Sequence, residues 1–469
     1  MAIFETKGKQ GEMKTIRKGM IGLILAAAAM LSSQDAAELR TLLVNRTDEN
    51  HKAIGIIVGL VDAAGQEVIA RGTTAPGGTI VPDADTVFEI GSITKVFTSL
   101  VLADMVERGE VKLDDPVAKF LPPAVKMPRR NGREITLLDL SSQVSGLPRL
   151  PDNLKPADPA DPYADYGPAR LYAFLSGHTL ARDIGEAYEY SNLGAGLLGH
   201  ALALKAGMSY EELVRRRILI PLGMNDTAIT LSDSLKKRLA AGTDASLRPV
   251  KNWELDALAG AGALRSTTND MLKFLAAAME FRDTPLRAAF RRTLAGRRPT
   301  GTPDLEIAMG WHIWNKFGTE IIWHNGGTGG YRSFAGFDPA KKKGVVVLCN
   351  TAFDVDDLGL HALEARYPVA RFRPPRERKA VPVDAKVLEG YVGEYELRPG
   401  ITMMITLSGG RLYERTPGQP LFELPAESPT EFFRKMGDVQ ITFFKDASGI
   451  VTHLVLYQNG FEREARRIK

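Results

Sequence analysis

The sequence predicts an α/β fold of the α+β type, in which one antiparallel sheet collects strands from both ends of the region up to residue 370. Alternating apolar segments lie at the two ends of this region, and the segments between them have helical periodicity. After residue 383 the pattern changes to short alternating segments separated by Gly and Pro turns. That change predicts a separate, small C-terminal β-barrel.

The sheet is expected to open with a hairpin, because residues 54–62 and 66–71 are extended apolar segments joined by a short turn. Residues 309–349 are expected to add three further antiparallel strands. Two Lys-x-Gly triplets in that stretch, Lys316-Phe317-Gly318 and Lys342-Lys343-Gly344, lie between alternating runs. We interpret both triplets as hairpin turns.

The middle of the region is expected to be helical, because apolar residues recur at helical spacing over residues 192–205, 209–218 and 268–279. The polar, proline-rich residues 150–167 predict a long loop. Such a loop either borders a functional site or is a simple surface excursion, and the sequence is equally consistent with both.

The last part of the chain is expected to comprise a linker, residues 371–383, and a β-barrel, residues 384–469. The linker is rich in Pro and Arg, a composition typical of a solvated segment rather than a binding site. In the barrel the alternating segments include residues 403–407, 440–444 and 451–457. Turns are expected at Gly409-Gly410, Pro417-Gly418 and Asn459-Gly460.

The first 33 residues have the layout of a secretory signal peptide: Lys14, Arg17 and Lys18 precede an apolar run over residues 20–31, and two serines follow it. Residues before Met13 fit this pattern poorly, so Met13 is an alternative translation start. The run is short for a bilayer span, which makes an N-terminal membrane anchor the less favoured alternative. We therefore predict a periplasmic or secreted protein whose main domain is residues 34–370, with no stable membrane span in the mature form.

Composition narrows the classes of function. The net charge is only +4, without a clustered basic face, which argues against nucleic acid as a partner. Cys349 is the only cysteine, so no internal disulfide forms, and we interpret it as a core thiol. The seven histidines lack metal-ligand spacing, and His200 and His312 are interpreted as structural. No metal and no cofactor is expected.

The candidate catalytic group begins at Ser92-Ile93-Thr94-Lys95. Gly91 follows a short extended run, and apolar residues recur at helical spacing up to Val106, so Ser92 is expected at a helix N-terminus. There the free backbone N–H groups and the helix dipole favour a developing negative charge. Lys95 lies one turn further on the same helix face. A serine beside an amine suits nucleophilic acyl transfer, because the hydroxyl needs a proton acceptor.

Two downstream motifs accompany this serine: Tyr190-Ser191-Asn192 and His324-Asn325-Gly326. Ser234-Leu235-Lys236-Lys237 repeats the serine–lysine spacing, and Tyr457-Gln458-Asn459 repeats the tyrosine–asparagine spacing. Neither repeat has the ordered context of the first set. We interpret the former as a solvated helix start and the latter as part of a terminal hairpin.

With these motifs in order, the chain resembles the serine β-lactamase and penicillin-binding protein superfamily, specifically its class C and low-molecular-weight peptidase branch. The resemblance extends from near residue 54 to near residue 365 and rests on residues 88–100, 135–149, 190–199, 221–227 and 324–331. It implies the β-lactamase-like fold, an antiparallel sheet flanked by helices with an inserted all-helical region. Residues 388–395 (LEGYVGEY) resemble the opening of the lipocalin-like domain appended to many β-lactamase-related hydrolases.

The resemblance also implies roles for individual residues. It makes Ser92 the nucleophile, while Lys95 and Tyr190 share the general-base and general-acid work. Asn192 would orient Lys95 and the substrate amide. The oxyanion hole would be formed by the backbone N–H groups of Ser92 and Gly327, the latter on the strand that carries the third motif.

The third motif departs from the family pattern, which has lysine, then threonine or serine, then glycine. His324 stands in the lysine position, and a histidine with an unperturbed pKa of about 6.5 is mostly neutral at pH 7. Recognition of a substrate carboxylate is therefore expected to be weakened. His324 and Gly326 are still expected at the substrate, and a lysine in place of His324 is expected to favour carboxylate-bearing substrates.

The sequence thus predicts a serine hydrolase that forms a covalent acyl-enzyme on a small amide or ester. D-Ala-type cell-wall peptides, including peptidoglycan fragments, are the leading substrate class, with β-lactams as mimics. A carboxylesterase of the β-lactamase-like type is the close alternative. The competing class is a noncatalytic penicillin-binding sensor that deacylates too slowly to turn over.

Overall fold

The computed structural model describes residues 36–374, 377–398, 400–417, 420–435 and 438–469. The predicted signal peptide, residues 1–33, lies outside these ranges, as does Gly418 of one predicted turn. The chain divides into two compact units between Arg366 and Tyr367. In the ranges given above, no helix combines the length and apolar character that a membrane span requires.

The first unit is built on an antiparallel sheet that has eight strands within the described residues, in the order β2-β1-β12-β11-β10-β9-β8-β7. Its strands are β1 Gly55–Val61, β2 Gln66–Gly72, β7 Arg298–Pro299, β8 Leu305–Ile307, β9 His312–Lys316, β10 Thr319–Gly327, β11 Arg332–Asp338 and β12 Lys343–Cys349. The predicted opening hairpin is confirmed as β1 and β2. Because Ile56 pairs with Cys349, strands from the two ends of the unit meet in the middle of this sheet.

Two short strand pairs accompany the sheet: β3 Val87–Glu89 with β6 Arg265–Thr267, and β4 Arg129–Arg130 with β5 Arg133–Glu134. The first pair lies directly before the turn that carries Ser92, so it holds the start of that turn to a distant part of the chain.

The prediction of three strands over residues 309–349 was wrong, because the structure has four there, β9 to β12. The additional strand arises because the chain also turns at residues 328–331, between β10 and β11. Phe317 and Gly318 have φ of 58° and 73°, the conformation of a two-residue hairpin turn. The interpretation of Lys316-Phe317-Gly318 as turn chemistry is therefore confirmed, and Lys342, with φ of 50°, ends the turn before β12.

Helices cover both faces of the sheet. They are α1 (described over 36–44), α2 Thr94–Glu107, α3 Leu137–Ser141, α4 Pro168–Gly177, α5 Asn192–Ala206, α6 Tyr210–Val214, α7 Ile220–Leu222, α8 Asp233–Arg238, α9 Thr268–Ala278, α10 Arg287–Thr293 and α11 Asp356–Leu363. α9 packs against Gly59 on one face, and Gly359 of α11 packs against Phe334 on the other. The predicted helices over 192–205 and 268–279 are confirmed, and the helix predicted over 209–218 is α6 continuing into a π-helical turn, Arg215–Leu219.

The second unit is a nearly closed antiparallel sheet with eight strands in its described part, ordered β16-β15-β14-β13-β20-β19-β18-β17. Its elements are α12 Ala385–Glu389, β13 Gly393–Arg398, β14 Ile401–Ser408, β15 Arg411–Arg415, β16 Phe422–Leu424, β17 Glu431–Phe433, β18 Val439–Lys445, β19 Val451–Gln458 and β20 Phe461–Arg467. The sheet ends β16 and β17 approach through a bridge between Ala426 and Phe432. This is the small barrel that the alternating segments predicted.

The barrel core contains Tyr391 and Tyr395, both fully buried. The Tyr391 hydroxyl donates to the Pro429 carbonyl at 2.7 Å, and the Tyr395 hydroxyl donates to the Tyr391 carbonyl at 2.8 Å. Part of the segment predicted as a linker lies along this barrel, because the Arg371 amide donates to the Gly460 carbonyl at 2.8 Å.

Candidate active site

Ser92 lies in a single 3₁₀ turn, Gly91–Ile93, that connects β3 to α2. Gly91 has φ of 50°, and a Cβ atom on it would lie 2.7 Å from the Gly327 backbone nitrogen. A glycine is therefore required at this turn, both for its left-handed backbone and for the close approach of β10. The predicted strand–turn–helix context of Ser92 is confirmed, and the end of β10 lies beside it.

Ser92 lies near both other predicted catalytic side chains. The Lys95 amine is 2.9 Å from Ser92 Oγ, and Ser92 and Tyr190 line the same cavity, close enough for Ser92 to lower the pKa of Tyr190. Lys95 Nζ lies 4.8 Å from the centre of the Tyr190 ring. The chain thus brings together three side chains that were selected from motifs almost a hundred residues apart in sequence.

Burial shifts the pKa values of Lys95 and Tyr190 in opposite directions. The Lys95 side chain is only 1% exposed, and burial, aided by the nearby Arg149 charge, lowers its pKa well below the ordinary 10.5. Burial raises the pKa of Tyr190 above its ordinary 10.0, although Ser92 acts in the opposite direction. Lys95 is therefore better suited than Tyr190 to accept a proton from Ser92, whereas Tyr190 is held as the neutral phenol.

Asn192 is the first residue of α5, whose N-terminus is fixed by Ser191. The Ser191 hydroxyl accepts a hydrogen bond from the Gly194 amide at 2.8 Å, which caps the helix. The Asn192 Oδ1 atom is buried without a hydrogen-bond partner in the described part of the chain. The position suits an acceptor for a substrate N–H.

Asn192 was predicted to orient Lys95, whereas in the structure a backbone carbonyl contacts the Lys95 amine. The amine donates to the backbone carbonyl of Ala261 at 2.7 Å, from the 3₁₀ turn Ala259–Ala261. Sequence reasoning missed this contact, because a backbone carbonyl carries no side-chain signal in the sequence.

The third motif lies at the end of β10, with Gly326 and Gly327 beside Ser92. A Cβ atom on Gly326 would overlap the Ile90 carbonyl oxygen, so only glycine fits this approach. The Gly327 nitrogen lies near the turn that holds Ser92, at the place expected for one oxyanion donor. The other expected donor is the Ser92 amide, at the start of the helical segment where backbone N–H groups lack intrahelical partners.

His324 lies behind Tyr190 rather than in the cavity wall. Its side chain is 2% exposed, its Nδ1 is 2.5 Å from the Asn325 carbonyl oxygen, and its ring centre is 6.2 Å from that of Tyr190. Burial, with the neighbouring His312 and Lys95, lowers the pKa of His324 well below 6.5. His324 is therefore neutral, and it faces Tyr190 instead of solvent.

A second tyrosine–histidine pair lies beside the first. His312 on β9 contacts the Tyr188 hydroxyl through Nε2 at 3.0 Å, and its ring centre is 5.0 Å from that of His324. Burial lowers the pKa of His312 to about 4. The sequence interpretation of His312 as structural overlooked that it lines the same cavity as Ser92.

The cavity next to Ser92 has a volume of about 630 Å³. Its wall is formed by Ser92, Arg149, Leu150, Tyr163, Tyr188, Tyr190, Asn192, Trp253, His312, Asn325, Gly326, Gly327, Thr328 and Arg332. Leu150 and Tyr163 belong to the predicted loop 150–167, which therefore borders the site. Two signals were available but unused: Arg149 ends the Ser-Gly-Leu-Pro-Arg stretch, and Arg332 directly follows the third-motif stretch.

Trp253 is held in the cavity wall by a buried charge cluster. Glu89 Oε1 accepts a hydrogen bond from the Trp253 amide at 3.0 Å and lies 3.3 Å from Arg265 Nη2. The same Arg265 nitrogen donates to the Trp253 carbonyl at 3.0 Å. Burial raises the pKa of Glu89, which is opposed by the Arg265 charge. The tryptophan is thereby fixed at both of its backbone groups.

Metal-ligating side chains do not gather in the described ranges: no group of three or more His, Cys, Asp or Glu residues there has an arrangement able to hold an ion. The chemistry available at the cavity is that of a hydroxyl between an amine and a phenol, with backbone amides beside them.

Comparison with known families gives two matches. The beta-lactamase family model matches residues 41–367, and a domain of unknown function (DUF3471) matches residues 377–468. The D-alanyl-D-alanine-carboxypeptidase/endopeptidase AmpH of Escherichia coli (strain K12) is 30% identical over 359 residues, which cover 71% of this chain and 91% of AmpH.

Solved structures agree with this comparison. A beta-lactamase/D-alanine carboxypeptidase from Yersinia pestis, complexed with citrate, superimposes with a TM-score of 0.61 at 28% identity, covering 69% of this chain and 93% of that one. An octameric penicillin-binding protein homologue from Pyrococcus abyssi, at 22% identity and a TM-score of 0.63, covers 94% of this chain and 100% of its own. The latter likeness concerns the fold alone, and it extends over both units.

Proposed function

This chain belongs to the beta-lactamase family and is a serine hydrolase, and from that premise we propose that Ser92 forms a covalent acyl-enzyme on D-Ala-type cell-wall peptides. The observation that carries the proposal is the position of Ser92 Oγ, 2.9 Å from a buried lysine amine and in the same cavity wall as Tyr190. Burial lowers the pKa of that amine, which favours the unprotonated form that accepts a proton.

In the proposed acylation step, Lys95 accepts the proton of the Ser92 hydroxyl as Ser92 Oγ attacks the substrate carbonyl. The amides of Ser92 and Gly327 would stabilise the oxyanion that forms. Tyr190, kept protonated by burial, would donate its proton to the leaving nitrogen or oxygen and recover one through Lys95. A water molecule would then hydrolyse the ester with the same groups in reverse roles.

The D-Ala-type substrate is supported by two relatives. The 30% identical AmpH is named a D-alanyl-D-alanine-carboxypeptidase/endopeptidase, and the Yersinia pestis structure is titled a beta-lactamase/D-alanine carboxypeptidase. Asn192, with its unpartnered Oδ1 in the cavity wall, would accept the N–H of a substrate amide. β-Lactams would acylate the same serine as mimics of the peptide.

A carboxylesterase is the second candidate, because Ser92 with the Lys95 amine beside it would attack the carbonyl of an ester as well as that of an amide. A penicillin-binding sensor, which is acylated once and does not turn over, has no separate structural observation in its favour.

We also propose that the protein is periplasmic or secreted, because the predicted signal peptide precedes the first unit. The second unit would be an appended lipocalin-like domain. No nucleic acid is expected to bind either unit, since the net charge is only +4.

The proposal is tested with an activity panel on the purified protein: p-nitrophenyl esters, nitrocefin and D-Ala-D-Ala peptides. Ser92→Ala should abolish turnover and labelling by a fluorescent penicillin or a fluorophosphonate. The matched control is Ser234→Ala, because Ser234 has the same spacing to a lysine but is exposed on α8. Equal labelling of the Ser92→Ala protein would refute the assignment, and a single burst without turnover on every substrate would favour the sensor.

A further inference from the structure

Among the described residues, the charged side chains that line the cavity are all positively charged. Two arginines, Arg149 and Arg332, line the cavity, and no Asp or Glu does so among the described residues. Neither arginine forms an ion pair with a carboxylate in the part of the chain that the structure describes. A concave, partly desolvated surface of one sign concentrates ligands of the opposite sign. The cavity therefore suits an anionic substrate, although the third motif supplies no cation.

Arg332 is held next to the proposed oxyanion site. It lies on β11 directly opposite Gly327, and its guanidinium carbon is 3.3 Å from the position of a Cβ atom on Gly327. Its Nη1 donates to the carbonyls of Thr328 and Tyr331, each at 2.8 Å. These contacts fix the guanidinium plane and leave its other N–H groups available for a ligand.

A carboxylate on the leaving side of a substrate falls within reach of Arg332. In a peptide that ends one residue after the scissile bond, the carboxylate carbon lies about 3 to 4 Å from the scissile carbonyl carbon. A carbonyl oxygen bound at the Gly327 amide therefore brings that carboxylate close to the arginine. Asp356, whose carboxyl group feels the Arg332 charge, accepts a hydrogen bond from Asn325 Nδ2 at 2.5 Å.

Arg149 lies on the other side of the site, beside Tyr190 and Asn192. Its guanidinium carbon is 5.0 Å from the centre of the Tyr190 ring, and its backbone carbonyl accepts a hydrogen bond from the backbone N–H of Asn192 at 3.0 Å. Its positive charge is close enough to act on Lys95, Tyr188 and Tyr190. If Asn192 accepts an N–H of the acyl portion, Arg149 lies along that portion.

We propose that Arg149 and Arg332 select a doubly anionic substrate, an acidic peptide with one carboxylate on each side of the scissile bond. Arg332 would bind the carboxylate of the leaving portion, and Arg149 that of the acyl portion, each through charge-assisted hydrogen bonds. The cations that recognise the substrate then come from outside the three motifs. This inference rests on the proposed function, because it assumes that the substrate acylates Ser92.

Four matched esters test the proposal. 4-Nitrophenyl pentanoate is neutral, 4-nitrophenyl hydrogen glutarate adds a carboxylate to the acyl portion, and 3-carboxy-4-nitrophenyl pentanoate adds one to the leaving portion. The glutarate ester of 3-carboxy-4-nitrophenol carries both. For each variant, kcat/KM for 4-nitrophenyl hydrogen glutarate divided by that for the neutral ester is the acyl ratio. The same quotient for 3-carboxy-4-nitrophenyl pentanoate is the leaving-group ratio.

We expect Arg149→Gln to lower the acyl ratio about tenfold and Arg332→Gln to lower the leaving-group ratio about tenfold, each with less than about a twofold effect on the other ratio. Arg332→Lys, which keeps the charge, should retain more of the leaving-group ratio than Arg332→Gln. The matched control is Arg129→Gln, because Arg129 is an exposed arginine on β4 outside the cavity wall, and it should change neither ratio.

The inference is overturned if either cavity variant leaves both ratios within about twofold of wild type, or if both variants lower both ratios equally, which is the signature of a diffuse field rather than two subsites. Where turnover is slow, the rate of Ser92 acylation is followed by intact-protein mass. The Ser92→Ala variant distinguishes a failure of this inference from a failure of the proposed function. If that variant still hydrolyses the neutral ester, the proposed function is wrong, whatever the ratios are.

Discussion

Lys95 Nζ lies 2.9 Å from Ser92 Oγ, and the lysine side chain is 1% exposed. The two residues are three apart along the turn that leads into α2, so the helix start itself holds them together. The amine also donates to the Ala261 carbonyl, which fixes its direction. In the proposed mechanism this burial matters, because a solvated lysine would remain protonated at neutral pH and unable to accept the serine proton.

The first prediction concerns the pH dependence of turnover. Activity requires unprotonated Lys95, so kcat/KM should rise with pH through the depressed pKa of Lys95 and reach a plateau well below pH 10.5. Lys95→Arg keeps a permanent positive charge and should lower kcat/KM by about a thousandfold at every pH. The measurement is a pH–rate profile for a neutral ester on both proteins. An activity that still climbs at pH 10 would contradict a depressed lysine pKa.

The three motifs of the candidate site could be found from the sequence because each is a short local pattern. Ser92 and Lys95 lie on one turn, and the Ser191 cap explains why Asn192 begins α5. The number of strands over residues 309–349 was underestimated, because the turn at residues 328–331, between β10 and β11, falls inside the stretch 324–331 that was considered only as the third motif.

The rest of the cavity was beyond the sequence, because its residues meet only through long-range contacts. Trp253 is fixed by Glu89, 164 residues away along the chain. Arg149 and Arg332 had no motif of their own, and the role proposed for them depends on the lack of Asp and Glu among the described residues of the cavity wall, which is a property of the folded chain. The position of His324 behind Tyr190 also depends on which face of β10 meets the helices.

The second prediction concerns the independence of the first unit. A chain ending at Arg366 keeps the whole eight-stranded sheet and the cavity, because the second unit begins at Tyr367. It should remain folded and hydrolyse a neutral ester with kcat/KM within about threefold of the full chain. Circular dichroism melts and ester kinetics on both proteins provide the test. A truncated chain that melts cooperatively but is inactive would show that the second unit contributes to catalysis.

The third prediction is a loss of stability with rising pH. Burial raises the pKa of Asp356 from 3.8 to about 8, with Asp354 adding to the shift and Asn325 opposing it. A carboxyl group with a raised folded-state pKa stabilises the fold fully below its unfolded pKa, and that contribution is lost as pH rises through the folded value. The Tm should therefore fall between pH 5 and pH 9.

The variant Asp356→Asn stays neutral at every pH, so its Tm should change less over the same range than that of wild type. Asp233→Asn is the matched control, because the Asp233 side chain is 96% exposed on α8. Parallel Tm curves for wild type and Asp356→Asn would mean that Asp356 titrates in its ordinary range.

The last prediction concerns His324→Lys, for which the sequence alone suggested better recognition of carboxylate-bearing substrates. The structure gives a different expectation, since His324 is 2% exposed and lies behind Tyr190, with the Lys95 charge already acting on it. A lysine there places a second cation in a dry site, which should lower the free energy of unfolding by about 3 kcal/mol. It should also depress the pKa of Lys95 further, so the acid limb of the pH–rate profile moves to lower pH.

The ratio of kcat/KM between carboxylate-bearing and neutral substrates should stay unchanged in His324→Lys, because the side chain of residue 324 does not reach the cavity wall. His324→Gln, which remains neutral, serves as the control and should leave the acid limb in place. A tenfold rise of that ratio in a stably folded His324→Lys protein would show instead that residue 324 faces the substrate carboxylate.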